Sequence, residues 1–496
     1  MPTHTDDMEQ TLTTEEALDA QSVASAVASE DAAAIKTLEK RAVSATMWTV
    51  LDYGLSQCLR VVNSLVLTHL LLPSAFGEMG LVMTLIVGVT LLSDVGLGPS
   101  IIQNQSGDDP AFLDTAWTIQ VIRGGVLWLG ACLLAVPASW FYHDPQLSKI
   151  LPILALNTLL MGFNSTGLLT LSRHMGVRRL FFIDSSTQVF SLVVTVAWAM
   201  MHASVWALVA GSLASNIFRL TLSHISWFVP GHRNRFLLDK KSLQEIFSFG
   251  KWIFLGTALF FFASQADRLV MGRLVSMTTL GIYSIAFQIS DVPRSVINAF
   301  SSRVGFPFAA RLAHLPIEEF RTRFLRYRLY VLSAGAALLS IMAVWGSLVI
   351  IKVYPPTYSE AEWMIPVLAI GLWHTLLYNT TSPALLARGI STYNAGGNAA
   401  WCAAMFLGIK IGFDHFGLFG ALVAIAAGDL PLYFVTEWGA TRHGVKPVRQ
   451  DILMTVFFLA CLAGNFALRH VVQIHAPWVF APGHLGQWLH ALKGRL

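Results

Sequence analysis

Long apolar stretches recur along almost the whole chain, and they constrain its fold more than any other feature. A membrane-spanning helix needs about 20 consecutive, mostly apolar residues. Thirteen stretches of about that length can be marked, at 43–71, 76–97, 113–140, 147–171, 180–201, 204–228, 247–273, 278–303, 324–351, 361–387, 391–411, 415–438 and 452–470. A weaker fourteenth, from Pro477 to Leu492, is interrupted by Pro482 and Gly483. The chain is therefore expected to be an all-α polytopic membrane protein with 12–14 transmembrane helices.

The composition agrees with a membrane location and argues against an enzyme. Hydrophobic residues make up 54% of the 496 residues and charged residues 12%, whereas a soluble domain has about 25% charged residues. The connections between the apolar stretches are short, so no extramembrane domain is expected to hold an active site. No metal-binding or nucleotide-binding motif is recognisable. Neither a cofactor nor a nucleic-acid partner is expected.

Charge is distributed unevenly, and its distribution predicts the orientation. Residues 1–40 carry a net charge of −7 and residues 41–496 a net charge of +11. The acidic first 40 residues are expected to form a disordered tail. With the N-terminus inside, the tail and the even-to-odd connections hold 21 of the 33 Lys and Arg residues, and the opposite connections hold five. Because basic residues accumulate on the cytoplasmic side, the pattern predicts a cytoplasmic N-terminus.

One basic segment needs separate mention. The run RTRFLRYR occupies residues 321–328, at the start of the ninth apolar stretch. Such runs usually face water or lipid headgroups at the membrane surface. This segment is therefore expected to be solvated.

An internal repeat divides the chain into two halves. An offset of 204 residues aligns Asn63 with Asp267 and Gly77 with Gly281, and an offset of 214 residues aligns two ALVA segments. Parallel repeats of this kind occur in transporters whose site lies between the two halves. The predicted division is an acidic tail at 1–40, a six-helix lobe at 41–228, a basic linker at 229–246, a second six-helix lobe at 247–440, and one or two C-terminal helices at 441–496.

Polar and charged side chains inside the apolar stretches lie on particular helix faces. In the eighth stretch, Gln288, Asp291, Arg294 and Asn298 follow one another at steps of three or four residues, which places them on one face. The first, third and seventh stretches add the further candidates Asp52, Arg60, Asn63, Arg123, Asp267 and Arg268.

Two interpretations of these polar faces compete. Polar residues in membrane helices often serve only to hold helices together, and Asp267 or Asp291 could simply neutralise an arginine on a neighbouring helix. The alternative is a hydrated cavity between the two lobes, lined by the first, seventh and eighth stretches. Ionisable residues inside a membrane usually mark a functional site, which favours the cavity.

An arginine-bearing cavity suits an anionic substrate. The guanidinium group stays charged and binds phosphate oxygens in a bidentate manner. The predicted substrate-binding residues are Arg60, Arg123, Arg268 and Arg294. Amide side chains beside them, those of Asn63, Gln288 and Asn298, would suit sugar hydroxyls. The carboxylates of Asp52, Asp267 and Asp291 could instead bind a coupling H⁺ or Na⁺.

Four short segments give the chain a resemblance to a known family. They are LLPSAFGEMGLVM (71–83), LLSDVGLGPSIIQ (91–103), LSRHMGVRRLFFID (171–184) and ADRLVMGRLVSMTTLGIYSIAFQI (266–289). In this order they resemble the Wzx-type oligosaccharide flippases of the multidrug/oligosaccharidyl-lipid/polysaccharide (MOP) exporter superfamily. The resemblance covers about residues 41–445.

The resemblance implies a fold, a cargo and partners. The fold is two six-helix lobes that form a V and open alternately to the two sides. The cargo is an undecaprenyl-pyrophosphate-linked oligosaccharide unit, moved across the bacterial inner membrane for exopolysaccharide or O-antigen (lipopolysaccharide) synthesis. Cationic residues of the central cavity engage the pyrophosphate in that family, and Arg60 and Arg268 match their positions best. Membrane lipids, a polysaccharide polymerase and chain-length proteins are the implied partners.

Other functions stay open at the level of sequence. A peptidoglycan-precursor flippase or a cation-coupled drug exporter would share the fold, although a drug exporter should have an acidic cavity. A membrane polysaccharide polymerase or ligase would be an enzyme of the same pathway. It would need a sizeable external loop with catalytic groups, and the longest external loops, around 140–148 and 352–362, are too small.

Overall fold

The structure, a computed structural model, describes residues 47–48, 51–91, 93, 101, 104, 106–174, 176–229, 233–240, 243 and 253–472. The predicted acidic tail at 1–40 and the weak fourteenth stretch at 477–492 lie outside the described residues. Each of the thirteen other apolar stretches coincides with helix in the part that is described. The fold class predicted from the sequence, an all-α polytopic membrane protein, is confirmed.

The first lobe contains six helices. They are α1 (51–70), α2 (Pro73–Leu91), α3 (Pro110–Tyr142), α4, which is bent by 62° between Leu147–Gly162 and Gly167–Arg173, α5 (Val177–Met201) and α6 (Val205–His224). Local sequence explains where α3 begins and ends. Asp109 caps its first turn by accepting from the Ala111 N–H at 3.0 Å, and Pro110 fits the first helical position. His143 then ends it in the left-handed region, with φ of 57°.

The second lobe repeats this arrangement, with more breaks. Its helices are α7 (Ile253–Leu274), α8 (Met277–Ser290, continued by Val292–Phe300 and Phe306–Leu312), α9 (Ile317–Val353), α10 (Ala361–Leu386), α11 (392–416) and α12 (418–427 and Leu430–Arg442). A thirteenth helix, α13 (Val448–Val471), follows the lobe. Pro293 breaks α8 because it lacks an N–H group. Gly417 separates α11 from α12 with φ of 62°, a conformation that favours glycine.

Several helices are able to cross a bilayer on length and composition alone. Seven described helical runs meet that condition, and the bent α4 is an eighth. The run that contains α11 and α12 counts once among the seven, although Gly417 divides it. The other helices are interrupted or carry the polar residues described below. The protein is a multi-pass membrane protein.

The two lobes meet at one face, which we call the hairpin face because it holds the α1–α2 and α7–α8 turns at 71–72 and 275–276. Gly77 on α2 packs on the Met277 carbonyl, and Gly281 on α8 packs on the Pro73 carbonyl. A Cβ atom at either glycine would overlap the facing backbone. The repeat that aligned Gly77 with Gly281 in the sequence therefore brings the two equivalent positions together in space.

The opposite face, the linker face, holds the connection between the lobes. Alternate backbone N–H groups of this connection, at 235, 237 and 239, donate to α3 side chains over 2.8–3.0 Å, and the acceptors are Asp114, Thr118 and Thr115. Nearby, a hydrogen bond from His174 lowers the pKa of the exposed Asp108 carboxyl, which Arg173 also contacts at 3.0 Å. Residues 233–240 are thus bound to the first lobe.

Two buried arginines fasten α13 to α9. Arg328 on α9 is fully buried and forms an ion pair with Asp451 in the first turn of α13. At the other end, Arg469 on α13 donates to the Val344 carbonyl and, at 3.0 Å, to Ser347 Oγ. The expectation that the run 321–328 is solvated is therefore wrong for Arg328, because this side chain turns into the lobe to meet α13.

Candidate functional site

A large cavity lies between the two lobes. Its volume is about 1100 Å³, and α1, α2, α7 and α8 supply most of its lining. It extends from residues close to the hairpin-face contact, such as Leu67 and Phe76, to Tyr53 and Asn298 nearer the linker face. Six of the predicted site residues line it: Arg60, Asn63, Arg268, Gln288, Asp291 and Asn298. The polar stripes of three separate helices therefore converge on one space.

Arg60 carries positive charge into this cavity from the first lobe. Its Nη2 donates to Gln57 Oε1, one turn earlier on α1, at 2.6 Å. Among the described residues it forms no ion pair within 4.0 Å. The neighbouring Asn63 Oδ1 is buried without a hydrogen-bond partner in the described part of the chain. This side of the cavity therefore offers an uncompensated cation and a free acceptor.

The adjacent residues Asp267 and Arg268 point in different directions. Consecutive residues on a helix diverge by about 100°. Asp267 is 3% exposed and accepts a hydrogen bond from Tyr283 Oη at 2.6 Å. Arg268 lies at the wall of the central cavity and donates to Gln265 Oε1 at 3.2 Å. The two side chains do not pair with each other, which leaves Arg268 without a described ion-pair partner.

A phenylalanine ring lies between the two arginines of the second lobe. The guanidinium carbon of Arg268 is 5.5 Å from the centroid of Phe287, and that of Arg294 is 5.9 Å from it. Arg294 also pairs with Asp291, at 2.5 Å between Nε and Oδ1. Of these two arginines, Arg294 is neutralised by a carboxylate and Arg268 is held only by neutral groups.

A second, smaller cavity lies inside the second lobe. Its volume is about 480 Å³. Asp267, Arg294 and Asp429 line it, and Arg268 lines both cavities. Asp267 Oδ1 is buried here and has no hydrogen-bond partner among the residues that the structure describes. Asp429 accepts a hydrogen bond from Thr375 and contacts His374 Nε2. The smaller cavity is thus lined by carboxylates, whereas the central cavity carries net positive charge.

The structure places two predicted site residues elsewhere. Arg123 is not among the described residues that line either cavity, because its guanidinium caps the end of α2. It donates to the Thr90 carbonyl at 2.8 Å and to the Ser93 carbonyl at 3.0 Å. Asp52 lies half-buried on α1 and is likewise absent from both linings. Neither residue reaches a substrate in the central cavity in this conformation.

Sequence reasoning missed residues whose signal is spatial. Phe287 belongs to an apolar run, and only the arginines on either side of its ring distinguish it. Asp429 and His374 are far apart in sequence and meet only through the packing of α10 on α12. The described residues contain no group of three or more His, Cys, Asp or Glu side chains suited to a metal ion.

Two six-helix lobes with an arginine-bearing cavity between them define a transporter of the MOP exporter superfamily, not an enzyme. The family model described as "Polysaccharide biosynthesis protein" matches residues 66–351. The chain therefore belongs to this polysaccharide transporter family, as the segments around α2, α7 and α8 predicted.

Individual relatives agree with this family. The chain is 22% identical to the "Teichuronic acid biosynthesis protein TuaB" of Bacillus subtilis (strain 168), over 71% of this chain and 72% of that protein. It is 21% identical to the "Lipopolysaccharide biosynthesis protein WzxC" of Escherichia coli (strain K12), over 70% of this chain and 69% of that protein. Among solved structures, the "Lipid II flippase MurJ, inward closed conformation" superposes with a TM-score of 0.60 at 8% identity, over 86% of this chain and 100% of that one. This last similarity concerns the fold.

Proposed function

We propose that the protein moves an undecaprenyl-pyrophosphate-linked oligosaccharide repeat unit across the bacterial inner membrane. The observation that carries this proposal is the pair Arg60 and Arg268, which line one cavity from opposite lobes. Neither guanidinium has an ion-pair partner among the described residues. Two uncompensated guanidiniums match a pyrophosphate, which offers several anionic oxygens for charge-assisted hydrogen bonds.

The rest of the cavity supports a sugar-bearing cargo. Its volume exceeds the roughly 300–1,000 Å³ of most small-molecule sites. Asn63, Ser284, Gln288 and Ser295 line it with amides and hydroxyls, which suit sugar hydroxyl groups. The lipid chain of such a carrier would stay in the bilayer while its head group enters.

Transport proceeds by alternating access in this proposal. The lobes touch at the hairpin face through Gly77 and Gly281, and also through Phe76 and Tyr358, whose rings are 6.2 Å apart. The excess of basic residues on the linker face supports a cytoplasmic N-terminus. The conformation described here would then be the inward-facing one, and parting of the hairpin-face contacts would open the cavity outward.

The test is the substitution Arg268→Gln in cells that depend on this protein for surface polysaccharide. Losing a charge-assisted contact of about 1.5–3 kcal/mol predicts a fall in export of about 10- to 100-fold. Lipid-linked intermediates should accumulate, with protein abundance unchanged by blot. The matched control is Arg326→Gln, which removes an exposed arginine outside the cavity. Normal export by Arg268→Gln at normal abundance would overturn this assignment of the site.

Chemical identification of the accumulated lipid separates this function from its closest alternative. A peptidoglycan-precursor flippase has the same fold and would accumulate a cell-wall precursor instead. Copurification of the full-length protein with a polymerase or chain-length protein, also part of the proposal, would appear as a stable complex in mild detergent.

Asp267 is the proposed site for a coupling H⁺ or Na⁺. It is buried, and one of its oxygens lacks a partner among the described residues. The variant Asp267→Asn keeps the size of the side chain and removes its charge. In reconstituted vesicles, an imposed H⁺ or Na⁺ gradient should accelerate transport by the wild type and have no effect on Asp267→Asn. Equal acceleration of both would exclude Asp267 as the coupling site.

A further inference from the structure

A buried carboxyl lies beside the glycine contact that joins the lobes. Glu78 directly follows Gly77 on α2 and is 8% exposed. Its Oε2 atom has no hydrogen-bond partner among the described residues. The group that acts on its charge is another carboxyl, that of Asp144 in the turn after α3. Asp144 Oδ2 is also buried and unpartnered in the described part of the chain. Two like charges thus share a site that offers them no described cation.

Contacts between the lobes cover this pair on several sides. Gly77 packs on the Met277 carbonyl of α8. The end of α3 reaches α7, where Gly272 lies against Tyr142 and the Arg273 guanidinium is 5.8 Å from the centre of the Phe141 ring. These contacts cross from the first lobe to the second. Separation of the lobes at the hairpin face would therefore remove much of the cover and admit water.

The repeat shows that packing does not require an acid at this position. The 204-residue offset that aligns Gly77 with Gly281 aligns Glu78 with Ile282. Ile282 is buried to a similar extent, at 4% exposed. The second lobe thus fills the equivalent place with an apolar side chain, and the acid in the first lobe needs another explanation.

Desolvation decides the charge state of the pair. A buried, unpaired carboxylate costs several kcal/mol relative to its neutral form, and a second carboxylate beside it adds repulsion. The contact between the lobes is therefore compatible with a protonated pair and not with two ionised groups. Among the elements packed on α2, the other groups at this face that are charged or titrate near neutral pH are His143, Lys149, His202 and Arg273. None of these forms a described hydrogen bond or ion pair with Glu78.

We infer that Glu78 and Asp144 form a proton-binding site that controls closure of the hairpin face. One bound proton accompanies the closed state, and its release accompanies opening. Low pH at this face favours the closed conformation, and rising pH favours the open one. The inference rests on the alternating-access part of the proposed function, and it assigns the proton to a position outside both cavities.

The test measures the distance across the hairpin face as a function of pH. Spin labels are attached at Leu72→Cys and Ser276→Cys, both exposed turn positions, in full-length protein that lacks Cys58, Cys132, Cys402 and Cys461. For one linked proton, the ratio of open to closed populations should rise by up to tenfold per pH unit. Glu78→Gln, a neutral isostere, should stay closed with no pH dependence. Glu78→Ile, which copies the second lobe, should behave in the same way if the Gln variant folds poorly.

Two further variants sharpen the result. Asp144→Asn removes the like charge, so Glu78 should ionise more easily and opening should begin at lower pH. Glu360→Gln changes an exposed acid in the α9–α10 connection on the same face and should keep the wild-type profile. Wild-type pH dependence in Glu78→Gln would overturn the inference. A distance that responds to lipid-linked substrate but not to pH would overturn it alone, whereas a distance that never changes would overturn alternating access as well.

Discussion

The ring of Phe287 shows how one neutral side chain sets the electrostatics of the central cavity. Its faces meet Arg268 and Arg294, but only Arg294 has a carboxylate beside it. The ring therefore holds Arg268 at the cavity wall without neutralising it, since a cation–π contact leaves the charge of the guanidinium intact. A carboxylate in that place would orient Arg268 equally well and would compete with the substrate.

Substituting this ring provides a prediction at the residue scale. Phe287→Leu removes an interaction of about 0.5–2 kcal/mol and frees the Arg268 side chain. Export should fall by about 2- to 30-fold, while protein abundance stays at the wild-type level. Phe287→Tyr keeps the aromatic face and should retain most of the activity. The two variants would be compared by surface polysaccharide per molecule of protein, and equal activity of Leu and Phe would count against a positioning role.

Several of the site residues could be predicted from periodicity, and others could not. Polar residues at helical spacing identified the faces of α1, α7 and α8, because in an apolar helix a polar residue stands out. The same reasoning included Arg123, whose partners are backbone carbonyls at the end of α2 and leave no mark in sequence. It omitted Glu78, which lies alone at a helix start and belongs to no stripe.

At the scale of the element, α13 is held by a network that an isolated helix could not form. Arg328 donates to Asp451, to Gln450 Oε1 at 3.1 Å, to Thr380 Oγ1 at 3.1 Å and to the Leu377 carbonyl at 2.9 Å. The donors of this guanidinium thus meet acceptors from α10 and α13. A buried ion pair is costly to break by removing one partner, because the other charge stays buried.

The strength of this attachment can be measured by removing the arginine. Arg328→Met should lower the free energy of unfolding by about 3–5 kcal/mol, since Asp451 is left as an uncompensated buried carboxylate. Thermal unfolding in detergent would show this as a lower Tm. The double variant Arg328→Met, Asp451→Asn should recover part of the loss, because the buried charge is gone. An unchanged Tm in the single variant would mean that α13 is held mainly by its apolar face.

At the scale of the whole molecule, hydropathy and the repeat predicted the architecture well, since a bilayer restricts a chain of this composition to packed helices. The apolar stretches gave the helix positions, and the offset of 204 residues located the contact between the lobes. The breaks in α4 and α8 and the attachment of residues 233–240 to α3 could not be read in the same way. They depend on which side chains happen to face one another after the helices have packed.

The Arg328–Asp451 pair also has a consequence for the order in which the molecule is made. Ribosomes deliver α9 well before α13, so Arg328 enters the membrane region while the residue that balances its charge has not yet been synthesised. During that interval the second lobe carries an uncompensated cation, a feature that quality-control proteases and insertion machinery can detect. Arrival of the last helix removes it, so completion of translation and completion of the fold coincide, and a chain that stops short of α13 keeps the mark of an unfinished protein.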